Sequence, residues 1–536
     1  MNELVVDVKL YGKNVGLLSW NEKRGLAEFQ YYPDFFRTGL DVSPIIMPLK
    51  KSLMDFIYTF PSNRNDCFKG LPGMIADSLP DKYGNEIIDT WFAARGVSDK
   101  SITPLDRLCY IGCRAMGALE FYPSRDIKEL NESTVLRMES LVDLADKVFR
   151  DREAFKENIR QEDKAILDIL KVGTSAGGAK PKALIALDEQ TNEVRSGQVK
   201  APEGFTYWLL KFDGTTFEEN GEKIDHPKGI GNIEYAYHKM AVDCSIQMTE
   251  CRLLQERDSY HFMTKRFDRT DSGEKIHSQT LAAIAHYDRN SLHSYEEAFR
   301  VMRKLGLNYD EMEQFFRRMV FNVISRNHDD HTKNHSFLMD RKGHWTLSPA
   351  YDICYAYSPK GQWTDTHQMS INGKRDNFTW SDLAEVGSRM DIKNTDSIIG
   401  EIADVVSRWK EYAKDCGVHE NHAILIGNNH RLLLPTGRTI HRENNTEAMN
   451  TDKSDESNKR ISDITIIKSA GENRKIRCKI DGNWQMGENL SPKDKKRYEE
   501  VKLSSNKADM TKLKEELAEK YFKDQLENTK KYTLKR

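Results

Sequence analysis

The sequence predicts an α+β protein with a β-rich N-terminal module, a large mixed centre and a small α+β appendage. Three observations predict it. Near the start, Val6, Val8 and Leu10 alternate with polar residues ahead of a Gly12-Lys13-Asn14 turn, the period-2 signature of a half-buried strand. In the centre, Met312, Phe315, Phe316, Met319, Val320 and Val323 recur at helical spacing. From Arg442 to Arg460 the chain is Asn/Glu/Ser/Thr/Lys-rich with almost no apolar residues, a linker composition that sets the C-terminal segment apart.

Composition limits the possibilities. A chain of 536 residues has room for several domains and a substantial core, and 38% hydrophobic with 31% charged residues suits a soluble globular protein. A formal charge of −2 implies no global attraction to nucleic acid or membrane. The eight cysteines form no CxxC pair, as in a reduced cytosolic chain rather than a disulfide framework. The acidic, alternating start lacks a secretory pattern and no apolar run is long enough to span a bilayer, so the expected location is cytoplasmic with no membrane partner.

Read in order, the chain divides into residues 1–125 (the β-rich module), 126–268, 269–440, a linker over 441–460 and the appendage over 461–536. Within the first part, Gly70 to Gly84 is loop punctuated by glycine and proline, leading to a helix that begins near Asn85 with Ile87, Ile88, Trp91 and Phe92 as its apolar face. Gly112, Arg114 and Gly117 precede Ala118-Leu119-Glu120-Phe121 and read as a turn packed on a strand. Residues 133–170 have helical periodicity with mixed charge. Then Gly173-Thr174-Ser175-Ala176-Gly177-Gly178-Ala179-Lys180 runs into an apolar strand from Ala183 to Leu187. Backbone N–H groups over Thr174, Ser175, Ala176, Gly177 and Gly178 suit phosphate oxygens, although this is not a Walker A loop.

About thirty residues on, the strand Tyr207 to Phe212 carries Lys211. Gly-rich loop, strand and strand lysine follow the order in which a kinase-like N-lobe holds ATP phosphates. A helix from Asn232 carries Glu234, which could pair with Lys211 if it faces inward. Phe262 to Arg269 reads as a strand entering a linker, and Asp288 to Asn308 as ordinary helix and loop. Past the centre, Ile398 to Tyr412 is helical. The appendage reads as two strands, Ile464–Ile467 and Ile476–Ile480, with Asp481-Gly482 turning out of the second, and then a charged helix over Lys512–Leu526.

The chemistry concentrates in Arg326-Asn327-His328-Asp329-Asp330-His331-Thr332-Lys333-Asn334, between the central helix and a hairpin turning at Lys342-Gly343 that returns to Tyr351-Asp352. Phosphoryl transfer needs one carboxylate to orient a hydroxyl and accept its proton, and oxygen ligands to hold Mg²⁺ against nucleotide phosphates. Asp329 and Asn334 stand five residues apart, as a kinase base and metal ligand do, and Asp352 follows the hairpin. Lys333 could stabilise the transferring phosphoryl charge. His328, His331 and His335 beside Asp329 and Asp330 offer a competing transition-metal phosphohydrolase site, which leaves the Gly-rich loop and Lys211 unused.

These residues resemble the HipA family of serine/threonine kinase toxins. The resemblance runs through Leu79 to Gly84, Cys113 to Leu119, Ser175 to Lys182, Leu210-Lys211, Lys265 to Arg269, Asn327 to Phe337 and Ser348 to Asp352, over roughly residues 1–430. It implies a protein-kinase-like two-lobe core with an N-terminal β-rich subdomain, and ATP with Mg²⁺ as cofactors. It implies Asp329 as catalytic base, Asn334 and Asp352 as metal ligands, and Lys211 on the α/β-phosphates. Lys265, Arg266 and Phe267 would form the adenine hinge, and His331 and Gln279 match polar active-site positions. Some members silence themselves by phosphorylating a serine before the glycines; the equivalent position here is Thr174, with Ser175 next to it. Asp330 stands where some members carry a small residue, so Asp329 and Asp330 could exchange roles; the spacing to Asn334 favours Asp329. The resemblance also implies a protein substrate, an aminoacyl-tRNA synthetase in some members, and a small helix-turn-helix antitoxin (HipB-like) through which DNA is reached only indirectly. A nucleotide-binding regulator without catalysis, acting through the antitoxin complex, is the other alternative. The appendage lies outside the resemblance, and neither its role nor the oligomeric state is legible.

Overall fold

A computed structural model describes residues 4–434, apart from 81–83, 86, 90–91, 93–101, 125–127, 144–167, 169, 174–180, 215, 220–221, 226–227, 360 and 362. It also describes 461–468, 474–480, 483–503 and positions 513, 514, 516, 517, 520 and 521. The chain forms two compact units, Met1–Thr439 and Ile440–Arg536. The linker expected over 441–460 lies outside the described residues.

The first unit opens with an antiparallel meander, β1 (Val5–Leu10), β2 (Lys13–Asn21) and β3 (Leu26–Tyr31). Val6, Val8 and Leu10 are fully buried, as their alternation demands. The turn falls on Tyr11 and Gly12, both with positive φ, the geometry that matches the twist of a tight hairpin. Two helices follow, α1 (Gly73–Ala76) and α2 (Pro104–Ile111), the latter started by a reciprocal Thr103/Asp106 cap. Of the helix expected from Asn85, Ile87 and Ile88 are helical and buried. Strand β4 (Leu119–Tyr122) completes the sheet in the order β3-β2-β1-β4.

The next layer is a six-stranded sheet ordered β11-β12-β8-β6-β7-β5. It comprises β5 (Val135–Leu136), β6 (Lys182–Asp188), β7 (Glu193–Ser196) and β8 (Phe205–Lys211), with β11 and β12 following a helix. The ribbon β9 (Thr216–Glu219) and β10 (Glu222–Asp225) precedes that helix, α3 (Ile230–Asp243). Strands β11 (Cys251–Glu256) and β12 (Ser259–Lys265) then add to the edge. The helical expectation for 133–170 is corrected in part. Val135–Leu136 is an edge strand, because β-branched Val135 finds a partner in Arg195 of β7; helix begins only at 138, and 144–167 lie outside the described residues.

The helical part contains β13 (His277–Thr280), α4 (Leu281–Ala285), β14 (His293–Ser294), α5 (Tyr295–Lys304) and α6 (Tyr309–Ser325). After α6 come β15 (Ser336–Met339), β16 (Trp345–Leu347) and β17 (Met369–Ser370). Helices α7 (Trp380–Arg389), α8 (Thr395–Ser407), α9 (Trp409–Asp415) and α10 (Glu420–Asn429) close the unit. Helix α6 is its axis. Asn308 and Glu311 cap each other's backbone at its start, and Arg326 leaves it at φ 62. Phe315, Phe316, Met319, Val320 and Val323 are all fully buried along one stripe; truncating one such phenylalanine to alanine costs about 3–5 kcal/mol. The hairpin beyond is β15 paired with β16 (Phe337 opposite Leu347), and β13 lies on its other side.

The N-terminal module is bonded into this helical part. The Tyr11 hydroxyl donates to the Met339 carbonyl (2.8 Å) and accepts from the His277 amide (2.8 Å). The Trp345 indole donates to the Asp41 carbonyl at 3.2 Å. The Gly112–Gly117 turn packs as a turn-on-strand should. Gly117 has φ 71, and a Cβ there would lie 3.1 Å from the Ser278 amide nitrogen, so glycine is required.

The second unit holds a three-stranded antiparallel sheet, β18 (Ile461–Lys468), β19 (Arg474–Ile480) and β20 (Asn483–Asn489), followed by α11 (Pro492–Leu503). Strand β20 and helix α11 go beyond the sequence reading. Asn483, Gly487 and Asn489 give β20 little strand propensity of its own; pairing with β19 makes the strand. No helix among the described residues is long and apolar enough to cross a membrane.

Candidate active site

Lys211 ends β8, where Phe262 of β12 and Lys182 of β6 are its ladder partners. Its Nζ donates to the Glu234 carboxylate and to Asp352 Oδ1 at 2.5 Å. Glu234 therefore does face inward from α3, with 5% of its side chain exposed. Burial alone would push the Lys211 ammonium toward its neutral form, but Asp352 and Glu234 outweigh it and raise its pKa well above the usual lysine range. Asp352 sits at φ 54, in the left-handed region that few non-glycine residues adopt.

The loop after α6 owes its shape to its own side chains. Asn334 Nδ2 donates to the Asp329 carbonyl at 2.7 Å, closing the five-residue span that the sequence singled out. Thr332–Asn334 form one tight turn, capped by His331 Nδ1 accepting from the Lys333 amide at 3.2 Å. The Tyr351 hydroxyl donates to the Lys333 carbonyl at 2.7 Å and shares a 2.5 Å bond with Ser336. Asp329 is 47% exposed, with His331 Nε2 3.7 Å from Oδ1.

Asp330 is different in kind. Its side chain is 0% exposed and accepts from the Tyr295 hydroxyl, His367 Nδ1 and the Gln368 amide, each at 2.8 Å. Burial would raise this carboxyl's pKa, yet His367 and the hydrogen bonds hold it below the ordinary aspartate value. Asp330 thus braces the loop from beneath.

The three histidines of the loop are governed by burial. Burial lowers His331 and His335 to about 3, and burial with neighbouring His367 lowers His328 to about 2, so all are neutral at pH 7. His328 Nδ1 pairs with the Thr364 carbonyl at 3.1 Å, and His335 lies edge-on to Phe315 and Tyr295. Among the described residues no three His, Cys, Asp or Glu side chains converge as a transition-metal site would require. Asn334 and Asp352 offer oxygen instead, the donor a hard divalent cation takes. Behind them is a small cavity of mixed lining, with Arg318, Asn322, Asn327 and Asp330 on one part and Ala350, Tyr351 and Ile353 on another.

Not every expected residue joins this group. Gln279 is buried on β13, and its Nε2 bonds the Val42 carbonyl (2.6 Å) and His277 (2.8 Å), not the loop. These contacts join the N-terminal module to β13. The hinge triplet divides. Phe267 stands 5.4 Å from the Tyr351 ring, and Lys265 pairs with Asp271 at 2.7 Å. Arg266 points elsewhere: its guanidinium grips both Asp268 oxygens (2.8 and 2.7 Å) and the Gly197 carbonyl (2.6 Å), with 1% exposed. Arg266 thus ties the Lys265–Phe267 segment to the Gly197 carbonyl and to Asp268. Asp268 also accepts from the Gly117 amide and from Arg269, both at 2.8 Å, and the two arginines drive its pKa far down against burial. The sequence alone assigns Asp268 no role of its own, although it lies within the Lys265 to Arg269 stretch of the resemblance. Thr174, Ser175, Ala176, Gly177 and Gly178 lie outside the described residues.

Two family models match this chain. A HipA N-terminal domain covers residues 6–122 and a HipA-like C-terminal domain covers residues 174–409. Y4dM of Sinorhizobium fredii is 27% identical over 151 residues, and a protein of Haemophilus influenzae is 25% identical over 109 residues; both carry provisional kinase names. The matches take in 27% and 18% of this chain, and the chain spans only 36% and 32% of those relatives' own lengths. Among solved structures, HipA of Shewanella oneidensis MR-1, determined with HipB and operator DNA, superposes with a TM-score of 0.52 at 16% identity, covering 79% of this chain and 94% of that one. That likeness establishes the fold, which is α+β and kinase-like.

Proposed function

The chain belongs to the HipA family, and from that premise we propose that it is an ATP- and Mg²⁺-dependent protein serine/threonine kinase acting as the toxin of a toxin–antitoxin pair. The observation that carries the reading is Lys211 held between Glu234 and Asp352, beside a loop that exposes Asp329 and ties Asn334 to it. A strand lysine fixed by a helix glutamate is built to meet nucleotide phosphates.

Asn334 and Asp352 are the residues that would hold Mg²⁺; once bound, the cation neutralises phosphate charge. The amide nitrogen of Asn334 is committed to Asp329, which leaves its oxygen as the donor. Asp329 orients a substrate hydroxyl and takes its proton, its exposure giving a protein chain access. Asp330 cannot exchange with it, because all its hydrogen-bonding is turned into the core. Neutral His331 keeps the Lys333 turn in shape, so the Lys333 ammonium can balance the transferring phosphoryl group. Phe267 offers the adenine a ring to stack on. Thr174 or Ser175 is the proposed site of self-inhibiting phosphorylation.

The partners proposed are a protein substrate and a small HipB-like antitoxin that binds DNA on the kinase's behalf, in keeping with the Shewanella HipA complex. The test is incubation with γ-labelled ATP, Mg²⁺ and a cell extract, followed by mapping of labelled residues. Label on serine or threonine that disappears with Asp329→Asn supports the reading; undiminished label in that variant overturns it.

A further inference from the structure

Helix α3, which delivers Glu234, begins without a cap of its own. Its first residue follows Gly229, at φ 98, which has no side chain to accept the orphan N–H groups of the first turn. The missing acceptor arrives from β8. Asp213, two residues beyond Lys211, accepts from the Gly229 amide (2.8 and 3.1 Å to its two oxygens) and from the Gly231 amide (3.2 Å). A buried carboxylate on the positive end of a helix dipole is favourable as well as satisfying. Asp213 is itself fixed, since its own amide donates to buried His261 Nδ1 at 2.9 Å. On the other side, a Cβ at Gly231 would lie 2.2 Å from the Tyr260 carbonyl oxygen, so the start of α3 is pressed against β12, next to Phe262, the ladder partner of Lys211.

One strand end thus makes two grips on one helix, Lys211 on Glu234 and Asp213 on the first turn below it. We infer that Asp213 is a positioning residue of the nucleotide site, setting the reach of α3 so that Glu234 meets Lys211. The inference rests on the kinase reading for its consequence, but its geometry does not need that reading. With the clamp gone, α3 is free to slide from β8, Glu234 loses its hold, and Lys211 is left to Asp352 alone.

The test uses the full chain and two readouts. In the absence of nucleotide, acylation of Lys211 by an amine-reactive ester is followed by mass spectrometry in wild type, Asp213→Ala, Asp213→Asn and Glu234→Gln. Asp213→Ala is expected to speed labelling about as much as Glu234→Gln does, and Asp213→Asn, which keeps an acceptor, to restore most of the protection. Labelling of Asp213→Ala at the wild-type rate, with the protein folded, overturns the inference whatever the enzyme does. The second readout is kcat/KM for ATP. Each single variant is expected to lose about tenfold or more, and adding Asp213→Ala to Glu234→Gln to lose little further, since both act through one pair. Additive losses mean that Asp213 acts elsewhere and overturn the inference. If wild type transfers no phosphate, the kinase reading fails while the labelling still decides the role of Asp213.

Discussion

Two adjacent aspartates with opposite surroundings make a sharp experiment. Asp329→Asn removes the proton acceptor from a half-exposed position. Stability should change by less than about 1 kcal/mol, while phosphoryl transfer falls by roughly 10²–10⁴-fold, the usual contribution of a positioned base. Asp330→Asn does the reverse. Its carboxylate accepts three buried bonds, from Tyr295, His367 and Gln368. An asparagine NH₂ in place of one oxygen would face a donor, leaving at least one buried hydrogen bond unmade. Leaving a buried donor unsatisfied in this way costs about 1–3 kcal/mol, a substantial part of a typical net stability of about 5–15 kcal/mol. Urea unfolding of the two variants, followed by far-UV circular dichroism, measures the difference, and a labelled-ATP assay below the unfolding range measures chemistry. An Asp330→Asn protein of wild-type stability without activity, beside an active Asp329→Asn protein, would refute the assignment of the two roles.

The packing sets three further expectations. His328, His331 and His335 sit at about 2, 3 and 3 when folded, below the 6.5 of a free imidazole, so the unfolded chain takes up protons first as pH falls. Their neutral burial costs nothing above about pH 7, and stability is lost from about pH 6.5 downwards, by about 1 kcal/mol per ring at one unit below; equal urea midpoints at neutral and mildly acid pH would contradict this. Asp268→Ala leaves Arg266 and Arg269 buried without their shared carboxylate and should cost about 3–5 kcal/mol, visible as a lowered melting temperature; an unchanged melt would show that the cluster bears no strain on loss. Gln279→Ala orphans the Val42 carbonyl and should destabilise by about 1–3 kcal/mol with kcat/KM retained; lost transfer in a stable protein would instead assign Gln279 to the active site.

How much could be read from the chain depended on whether a residue's partner was local. The α6 stripe, the β15–β16 hairpin and the Asp329–Asn334 span are set by spacings within a few residues, so periodicity and turn chemistry revealed them. The inward turn of Glu234 was open, because Tyr235 and Met240 do not fix the helix's rotation; Lys211, on another strand, does. Asp330 looked interchangeable with Asp329 because its partners, Tyr295, His367 and Gln368, come from distant loops and helices. The roles of Asp213 and Asp268 were hidden for the same reason: an aspartate has the same letter whether it faces water or buried donors from distant segments. Strand β20 went unseen because its propensity is weak and its neighbour supplies the ladder.

The bonds between the first module and the hairpin have a consequence in time. Tyr11 waits for Met339, Asp41 for Trp345 and Val42 for Gln279, partners 328, 304 and 237 residues later in the chain. During synthesis the module emerges first with these groups solvated, and the loop that carries Asp329 is supported only after the ribosome has passed Leu347. Closure over such separations is slow compared with local folding. A chain that stops short of Leu347 therefore has the N-terminal module and the Asp329 loop without the hairpin that ties one to the other.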